Sequence, residues 1–128
     1  DLMVQLRAAK VAGIAASLPE LQVDDPDGAD LLVLGWGSTF GPIQASARRV
    51  RARGERVATA HLMHLNPFPK NTEELLGRYE RILVPELNSG QLVRLLRAEF
   101  LAPAEGYSKV QGVPFTVGEL EREIEKRL

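Results

Sequence analysis

The chain of 128 residues contains no cysteine. It therefore has no thiol that could form a disulfide, act as a nucleophile, or bind zinc or an iron–sulfur cluster. A chain without disulfides is compatible with a reducing compartment, and we expect a cytoplasmic protein. An iron–sulfur cluster that works with this protein would need its ligands from outside this sequence.

Excess charge and long apolar runs are also missing. Lys and Arg number 16 and Asp and Glu number 17, so the net charge is −1. This balance gives no electrostatic reason to expect a nucleic-acid partner or an anionic membrane partner. No run of 18 apolar residues predicts a membrane span, and Asp1-Leu2-Met3 does not begin a signal peptide. We expect neither nucleic acid nor membrane as a partner.

The length predicts a single domain over residues 1–128, long enough to bury a core. The sequence begins on Asp1, already inside an amphipathic pattern, and we interpret it as a piece of a longer polypeptide. A cluster of basic residues interrupts the even charge distribution. No aromatic residues are interleaved with it to stack on bases, so we interpret it as a solvated face or a salt-bridged contact with another subunit. Its members are Arg48, Arg49, Arg51, Arg53 and Arg56.

One stretch organises the rest of the chain. Leu31–Leu34 is an unbroken aliphatic run, which predicts a strand buried on both faces. A glycine-rich turn follows, and Ile43, Ala47 and Val50 then recur with the spacing of a helix face. Pro42 suits the first position of that helix. The unit is a strand, a tight loop and a helix, as in layered α/β domains, where ligands bind beyond the carboxyl ends of the strands.

Other segments repeat this alternation. The pattern predicts helices over residues 2–18 and beginning near Asn71, Asn88 and Thr116, of which the one at Asn71 is short. It also predicts a left-handed Gly54 after the helix that follows the glycine loop, Leu95 on the apolar face of the Asn88 helix, and a capping box of Thr116 with Glu119. It predicts a short edge strand at residues 21–23 and further strands at 57–60, 81–85 and 107–113. Right-handed crossovers then place helices on both faces of a mostly parallel sheet.

The glycine loop differs from the known phosphate-binding fingerprints. In Gly35-x-Gly37-x-x-x-Gly41, Phe40 occupies the place of the third dinucleotide-binding glycine, and His61 occupies the place of the ribose-binding acid. No lysine is near enough for a P-loop. Two interpretations stay open: backbone N–H groups beside Ser38 and Thr39 bind an anion, or the glycines only permit a tight turn beside close packing.

Two further polar clusters lack the partners that catalysis needs. Neither His61 nor His64 has a recognisable third metal ligand or nucleophile, so we interpret them as hydrogen-bonded loop histidines. Glu86 ends a strand, and Asn88 and Gln91 open the next helix. No base, nucleophile or metal set surrounds them, which favours a structural or interface role over chemistry.

Four motifs in register resemble one family. They are Leu34-Gly35-Trp36-Gly37-Ser38-Thr39-x-Gly41-Pro42, His61-Leu62-x-x-Leu65-x-Pro67-x-Pro69, Pro85-Glu86-x-Asn88-x-Gly90-Gln91-Leu92 and Gly106-Tyr107-x-Lys109-Val110-x-Gly112-x-Pro114-Phe115. Together they resemble the C-terminal region of the alpha subunit of 2-oxoacid:ferredoxin oxidoreductases, especially the 2-oxoglutarate type.

The resemblance implies a three-layer α/β/α fold like the transketolase C-terminal domain, with a mixed five-stranded sheet of order 1-3-2-4-5 and strand 1 antiparallel. It also implies a complex that decarboxylates a 2-oxoacid on thiamine diphosphate and Mg, passes electrons through an iron–sulfur cluster to ferredoxin, and transfers the acyl group to coenzyme A. The implied partners are the rest of the alpha subunit and the beta subunit. We expect this piece to bind none of those cofactors and to contribute no catalytic residue, because it has neither cysteine nor a Gly-Asp-Gly motif.

Two function hypotheses therefore stand. The first is a non-catalytic assembly domain of the oxidoreductase, and the second is a free-standing α/β module that binds a nucleotide or another anion at Gly35–Pro42. For the first, we predict that Trp36, Phe40 and Phe68 are exposed at the edge that docks on the rest of the enzyme. The anion-binding or interface candidates are Gly35, Trp36, Gly37, Ser38, Thr39, Gly41, Glu86, Asn88 and Gln91.

Overall fold

The computed structural model describes residues 17–65, 67–87, 90–109 and 113–128. Strands and helices alternate along these ranges, as the sequence predicts. The strands are β1 (Val23–Asp24), β2 (Leu31–Trp36), β3 (Ala58–Leu62), β4 (Arg81–Glu86) and β5 (Ala104–Ser108). The helices are α1 (Phe40–Ala52), α2 (Thr72–Leu76), α3 (Gln91–Phe100) and α4 (Val117–Glu125), and a 3₁₀ turn at Gly37–Thr39 precedes α1. The helix predicted over residues 2–18 lies almost entirely outside the described residues.

The sheet has the order β1-β3-β2-β4-β5. β1 pairs with β3 antiparallel, whereas the pairs β3–β2, β2–β4 and β4–β5 are parallel. This confirms the mixed sheet of order 1-3-2-4-5. The parallel strands all end at one side of the sheet, and we call the described residues there, 35–41, 61–65, 86–87 and 90–91, the carboxyl edge. None of the helices in the described ranges is long and apolar enough to cross a membrane.

β2 is buried on both faces. Its first five residues are buried, and the alternation of side chains along a strand divides them between two cores. Leu32 and Leu34 pack on the side covered by α2 and α3, whereas Leu31 and Val33 pack on the side covered by α1 and α4. The predicted helix–sheet–helix layering is therefore confirmed.

Helix α1 begins two residues earlier than predicted. Pro42 is its third residue rather than its first. The position still lies in the first turn, where backbone N–H groups have no helical acceptor, so a proline costs no hydrogen bond. The helix ends at Ala52, and Gly54 follows with φ +88°. Gly54 thus provides the left-handed conformation that the sequence predicts after this helix.

The arginine cluster is used within the chain. Arg49 in α1 and Arg53 directly after it form ion pairs with Glu121 of α4, and Arg51 reaches Asp24 of β1 with a separation of 3.0 Å between Nη1 and Oδ2. Three of the five arginines thus form salt bridges within this chain. The contact with another subunit stays a prediction.

Asn71 has a different role from the predicted helix cap. Its side chain makes no capping hydrogen bond to α2. Its amide instead exchanges two hydrogen bonds with the backbone of Leu21: the Leu21 N–H donates to Oδ1 at 2.7 Å, and Nδ2 donates to the Leu21 carbonyl at 2.9 Å. Asn71 therefore fixes the segment that leads into β1.

A buried carboxylate anchors helix α3. Glu86 is 1% exposed, and its two oxygens accept hydrogen bonds from the backbone N–H groups of Leu92 at 2.7 Å and Val93 at 3.2 Å. The negative charge lies at the positive end of the helix dipole. Asn88, the predicted cap, lies outside the described residues. Leu95, which the spacing predicts to be buried, is 45% exposed, and Val93 is buried instead.

The C-terminal strand differs from its prediction over 107–113. β5 covers Ala104–Ser108 and lies at the edge of the sheet. It begins earlier than predicted, because its parallel pairing with β4 starts at Ala104. The sequence pattern missed this start, since a small alanine gives a weak strand signal. The capping box of the last helix is confirmed: Thr116 accepts from the Glu119 N–H, and the Glu119 carboxylate accepts from the Thr116 N–H.

The two buried faces of β2 predict two sensitive positions. Leu32→Ala and Val33→Ala should each lower the free energy of unfolding by about 2–4 kcal/mol, because each removes buried methyl groups and leaves a cavity. Urea unfolding measures the loss, and Leu101→Ala, at a residue that is 88% exposed, is the control. A neutral result at either β2 position would mean that the corresponding face is not covered.

The Glu86 anchor predicts a second stability effect. Glu86→Ala should cost about 1–3 kcal/mol, because it leaves two buried backbone N–H groups without an acceptor. Glu86→Gln keeps one acceptor oxygen and should cost less. Urea unfolding again measures both, with the exposed Glu55→Ala as a control that should change stability by less than about 0.5 kcal/mol. Equal stabilities of the Glu86 and Glu55 variants would contradict the anchoring role.

Candidate functional site

The glycine loop at the end of β2 is shaped by close packing. A Cβ atom added at Gly35 would lie 2.5 Å from Cδ1 of Ile43, 2.8 Å from Oγ1 of Thr39 and 3.3 Å from Nδ1 of His61. Three neighbours, which lie on α1, the 3₁₀ turn and β3, would have to shift at once. Gly35 therefore lets β2, the 3₁₀ turn and β3 approach one another. Gly37 has a different requirement, a φ of +63°, with open space around it.

Thr39 closes the loop from inside. It is buried, and its Oγ1 accepts a hydrogen bond from the Trp36 N–H at 3.2 Å and donates one to the Trp36 carbonyl at 2.9 Å. The hydroxyl is thus engaged within the loop. Ser38 and Gly41, by contrast, are exposed. The face that the loop offers to a ligand or partner consists of small exposed residues, backbone and the exposed ring of Phe40.

The three aromatic residues predicted to be exposed differ in their environments. Trp36 and Phe68 are half-buried and pack against the core under α2 and α3, where Phe68 also contacts Phe100 with 5.2 Å between ring centroids. Only Phe40 is exposed, at 52%. The prediction is wrong for Trp36 and Phe68, because both side chains pack partly against the core on the α2–α3 side of the sheet.

The second predicted polar cluster, at the end of β4, is also divided. Glu86 is buried and engaged by helix α3, so it is not available to a ligand. Gln91, the first residue of α3, is exposed. Asn88 lies outside the described residues. The ends of the neighbouring strands β2 and β4 lie at the same edge of the sheet. Of Glu86 and Gln91, only Gln91 is exposed there.

His61 lies in β3, whereas the sequence predicts that it lies in a loop. Its ring meets Phe40 edge-on with 5.2 Å between centroids, and its buried Nδ1 has no hydrogen-bond partner among the described residues. Burial lowers the pKa of His61, and a hydrogen bond with the Gly37 backbone opposes this shift in part. His61 is therefore a neutral packing residue at neutral pH.

An open groove lies beside His61, and the sequence pattern does not predict it. Side chains alternate along β3, so Thr59 and His61 face α1, and the chain continues to the exposed Met63. Because the sequence predicts a loop at His61, this alternation of side chains along β3 is not expected there. The groove has a volume of about 810 Å³ and lies between β3, the start of α1 and the segment leading into β1.

The cofactors of the resembling family do not fit these residues. Among the described residues, no group of three or more His, Asp or Glu side chains is arranged to hold a metal ion. The sequence supplies no cysteine for a cluster. Glu86, the acid at the end of β4, is committed to helix α3.

Comparisons with known proteins agree with the fold. The chain is 51% identical over 129 residues to the 2-oxoglutarate oxidoreductase subunit KorA of Mycobacterium tuberculosis, a match that covers 100% of this chain and 19% of that protein. It is 35% identical over 89 residues to subunit alpha of the 2-oxoacid:ferredoxin oxidoreductase 2 of Aeropyrum pernix, covering 67% of this chain and 14% of the relative. The chain thus spans less than a fifth of the length of these relatives.

Two of the solved structures that this chain resembles show the extent of the likeness. The 2-oxoglutarate:ferredoxin oxidoreductase from Magnetococcus marinus, with 2-oxoglutarate, coenzyme A and succinyl-CoA bound, matches 98% of this chain and 22% of its own chain, with a TM-score of 0.88 and 27% identity. A split-gene transketolase, described as an inactive beta4 tetramer, matches 82% of this chain and 40% of its own, with a TM-score of 0.59 and 15% identity, which is a likeness of fold alone.

The family model described as pyruvate:ferredoxin oxidoreductase core domain II matches residues 29–120, the span that runs from the start of β2 into α4. Strands β2 to β5, the glycine loop and the anchored start of α3 all lie inside this span. The chain belongs to the pyruvate:ferredoxin oxidoreductase core domain II family.

Proposed function

We propose that the chain is a non-catalytic, C-terminal assembly domain of the alpha subunit of a 2-oxoglutarate:ferredoxin oxidoreductase. The whole enzyme would oxidatively decarboxylate 2-oxoglutarate to an acyl-CoA and pass the electrons to ferredoxin. The observation that carries this proposal is the 51% identity along the full chain to a 2-oxoglutarate oxidoreductase subunit. Residues 1–128 would form one domain of a longer subunit in the cytoplasm.

The contacts of the candidate residues support an assembly role over chemistry. Two groups at the carboxyl edge that could act on a substrate are engaged inside the domain: Thr39 bonds to the backbone of Trp36, and Glu86 bonds to the start of α3. Thiamine diphosphate, Mg and the iron–sulfur cluster would be held elsewhere in the complex. The same engagement gives no specific support to a free-standing anion-binding module.

The exposed part of the carboxyl edge is the proposed assembly surface. Gly37, Ser38 and Gly41 of the loop and Gln91 of α3 are exposed there. Small residues allow a partner to approach the backbone closely, and Gln91 can both donate and accept hydrogen bonds. Gly35, Thr39 and Glu86 would act from inside, by holding this surface in shape. The surface would contact the rest of the alpha subunit or the beta subunit.

The proposed substrate can be tested on the complete enzyme. With coenzyme A and ferredoxin present, kcat/KM for 2-oxoglutarate should exceed that for pyruvate by roughly a hundredfold or more, because polar groups that bind a second carboxylate are left unpaired by pyruvate. Steady-state reduction of ferredoxin measures both values. A preference for pyruvate would contradict the 2-oxoglutarate assignment while leaving the family membership intact.

The proposed assembly surface predicts a position-dependent effect. Ser38→Arg combined with Gln91→Arg should weaken subunit association, because two long charged side chains would obstruct the exposed carboxyl edge. The matched control is Glu55→Arg combined with Glu80→Arg, two exposed residues that precede β3 and β4 at the opposite edge. Sedimentation of the intact complex at falling protein concentration measures association. Equal association of both double variants would exclude this surface.

A further inference from the structure

His61 contacts the glycine loop at both of its ends. In the parallel pairing of β2 with β3, it lies opposite Gly35, where an added Cβ atom would lie only 3.3 Å from Nδ1 of the ring. The ring also meets Phe40, the first residue of α1, edge-on with 5.2 Å between centroids. The position of the His61 ring is therefore coupled to the shape of the loop between these two residues.

The inner side of the His61 ring offers no acceptor for a second N–H group. Nδ1 is buried and has no hydrogen-bond partner among the described residues. The other side-chain atoms closest to the Cβ position of Gly35 are Cδ1 of Ile43, which is apolar, and Oγ1 of Thr39, which already donates to and accepts from the Trp36 backbone. A neutral imidazole has one N–H donor and an imidazolium has two, and a buried N–H without an acceptor destabilises the folded state. The packed position therefore favours the neutral ring.

The charged groups around His61 do not offset this preference. The titratable side chains that line the groove together with it are Glu20, Asp24 and His64. Asp24 is paired with Arg51 of α1 at 3.0 Å, and Glu20 is paired with Lys70 at 3.8 Å. In the described part of the chain neither carboxylate is hydrogen-bonded to His61, and β2 and the 3₁₀ turn contain no charged residue. Burial is accordingly the main cause of the lowered pKa of His61.

We propose that His61 is a pH-sensitive latch of the glycine loop. The neutral ring stays packed between Gly35 and Phe40 and holds residues 36–41 in place. The protonated ring turns outward into the groove, where water and two carboxylates are available to its N–H groups. Phe40 then loses its edge-on contact, and the loop opens more often. This inference does not rest on the proposed enzymatic function, and its test needs no substrate.

The direction of the pH effect follows from the same burial. In the folded chain the pKa of His61 lies below its ordinary value of 6.5. The open loop, in which the ring is hydrated, therefore binds the proton more readily than the closed loop. Closure is most favourable above pH 6.5 and weakens as the pH falls from 6.5 to the lowered pKa. The latch is thus released by acid.

Amide hydrogen exchange of residues 36–41 tests the latch in the complete protein. After correction for the intrinsic pH dependence of exchange, lowering the pH from about 7.5 to about 5.5 should raise exchange in this segment by about fivefold or more. In His61→Gln and in His61→Phe, which cannot be protonated, the corrected exchange should be equal at both pH values. His64→Gln, a change at an exposed neighbour in the same groove, should respond as the wild type does. A wild-type segment that does not respond, or a His61 variant that responds as strongly as the wild type, would overturn the proposal.

Exchange of the histidine C2 proton gives a second readout that needs no substitution at His61. Its pH dependence, measured by mass spectrometry of peptides from the folded protein, reports the protonation of each histidine separately. The midpoint for His61 should lie below 6.5 in the wild type, and Phe40→Ala, which exposes the ring, should move it toward 6.5. Leu101→Ala, at an exposed residue outside the groove, should leave it unchanged. A wild-type midpoint at or above 6.5 would overturn the proposal.

Discussion

The burial of β2 on both faces is the constraint on which the rest of this structure depends. Leu31–Leu34 present aliphatic side chains to both sides of the sheet, so a helix layer is needed on each. The central strand pairs β3 on one side and β4 on the other, and each of these neighbours brings its own loop to the carboxyl edge. The composition of that edge therefore follows from the position of one strand.

Close packing at this edge holds several of its polar groups inside the domain. Gly35 brings β2 within contact of Thr39 and His61; Thr39 bonds to the Trp36 backbone, and Nδ1 of His61 is buried. Glu86, the acid at the end of β4, accepts hydrogen bonds from N–H groups in the first turn of α3. Each such hydrogen-bonded group strengthens the fold by about 1 kcal/mol or more and is in return unavailable to a substrate. The exposed remainder includes small residues together with Phe40 and Met63.

This division fits a domain whose relatives are parts of much longer chains. A contact surface must be rigid and correctly shaped, and buried hydrogen bonds behind it provide that rigidity. The ion pairs of Arg49 and Arg53 with Glu121 join α1 to α4 on the far side of the sheet and hold the layer from which the glycine loop emerges. Their own contribution is small because they are exposed. The apolar core beneath them supplies most of the stability.

The sequence by itself determined the layered α/β class, the central strand, the glycine residue after α1 and the capping box of α4, because periodicity and cap residues act over a few neighbouring positions. The motifs also identified the family. Only the tertiary structure decided which polar residues are free. Asn71 bonds to Leu21, far away in the sequence, and Glu86 caps a helix that begins beyond a turn. Likewise His61 belongs to a groove whose other wall is the lead-in to β1. Partners of this kind are set by how the elements pack, and local sequence patterns carry no record of it.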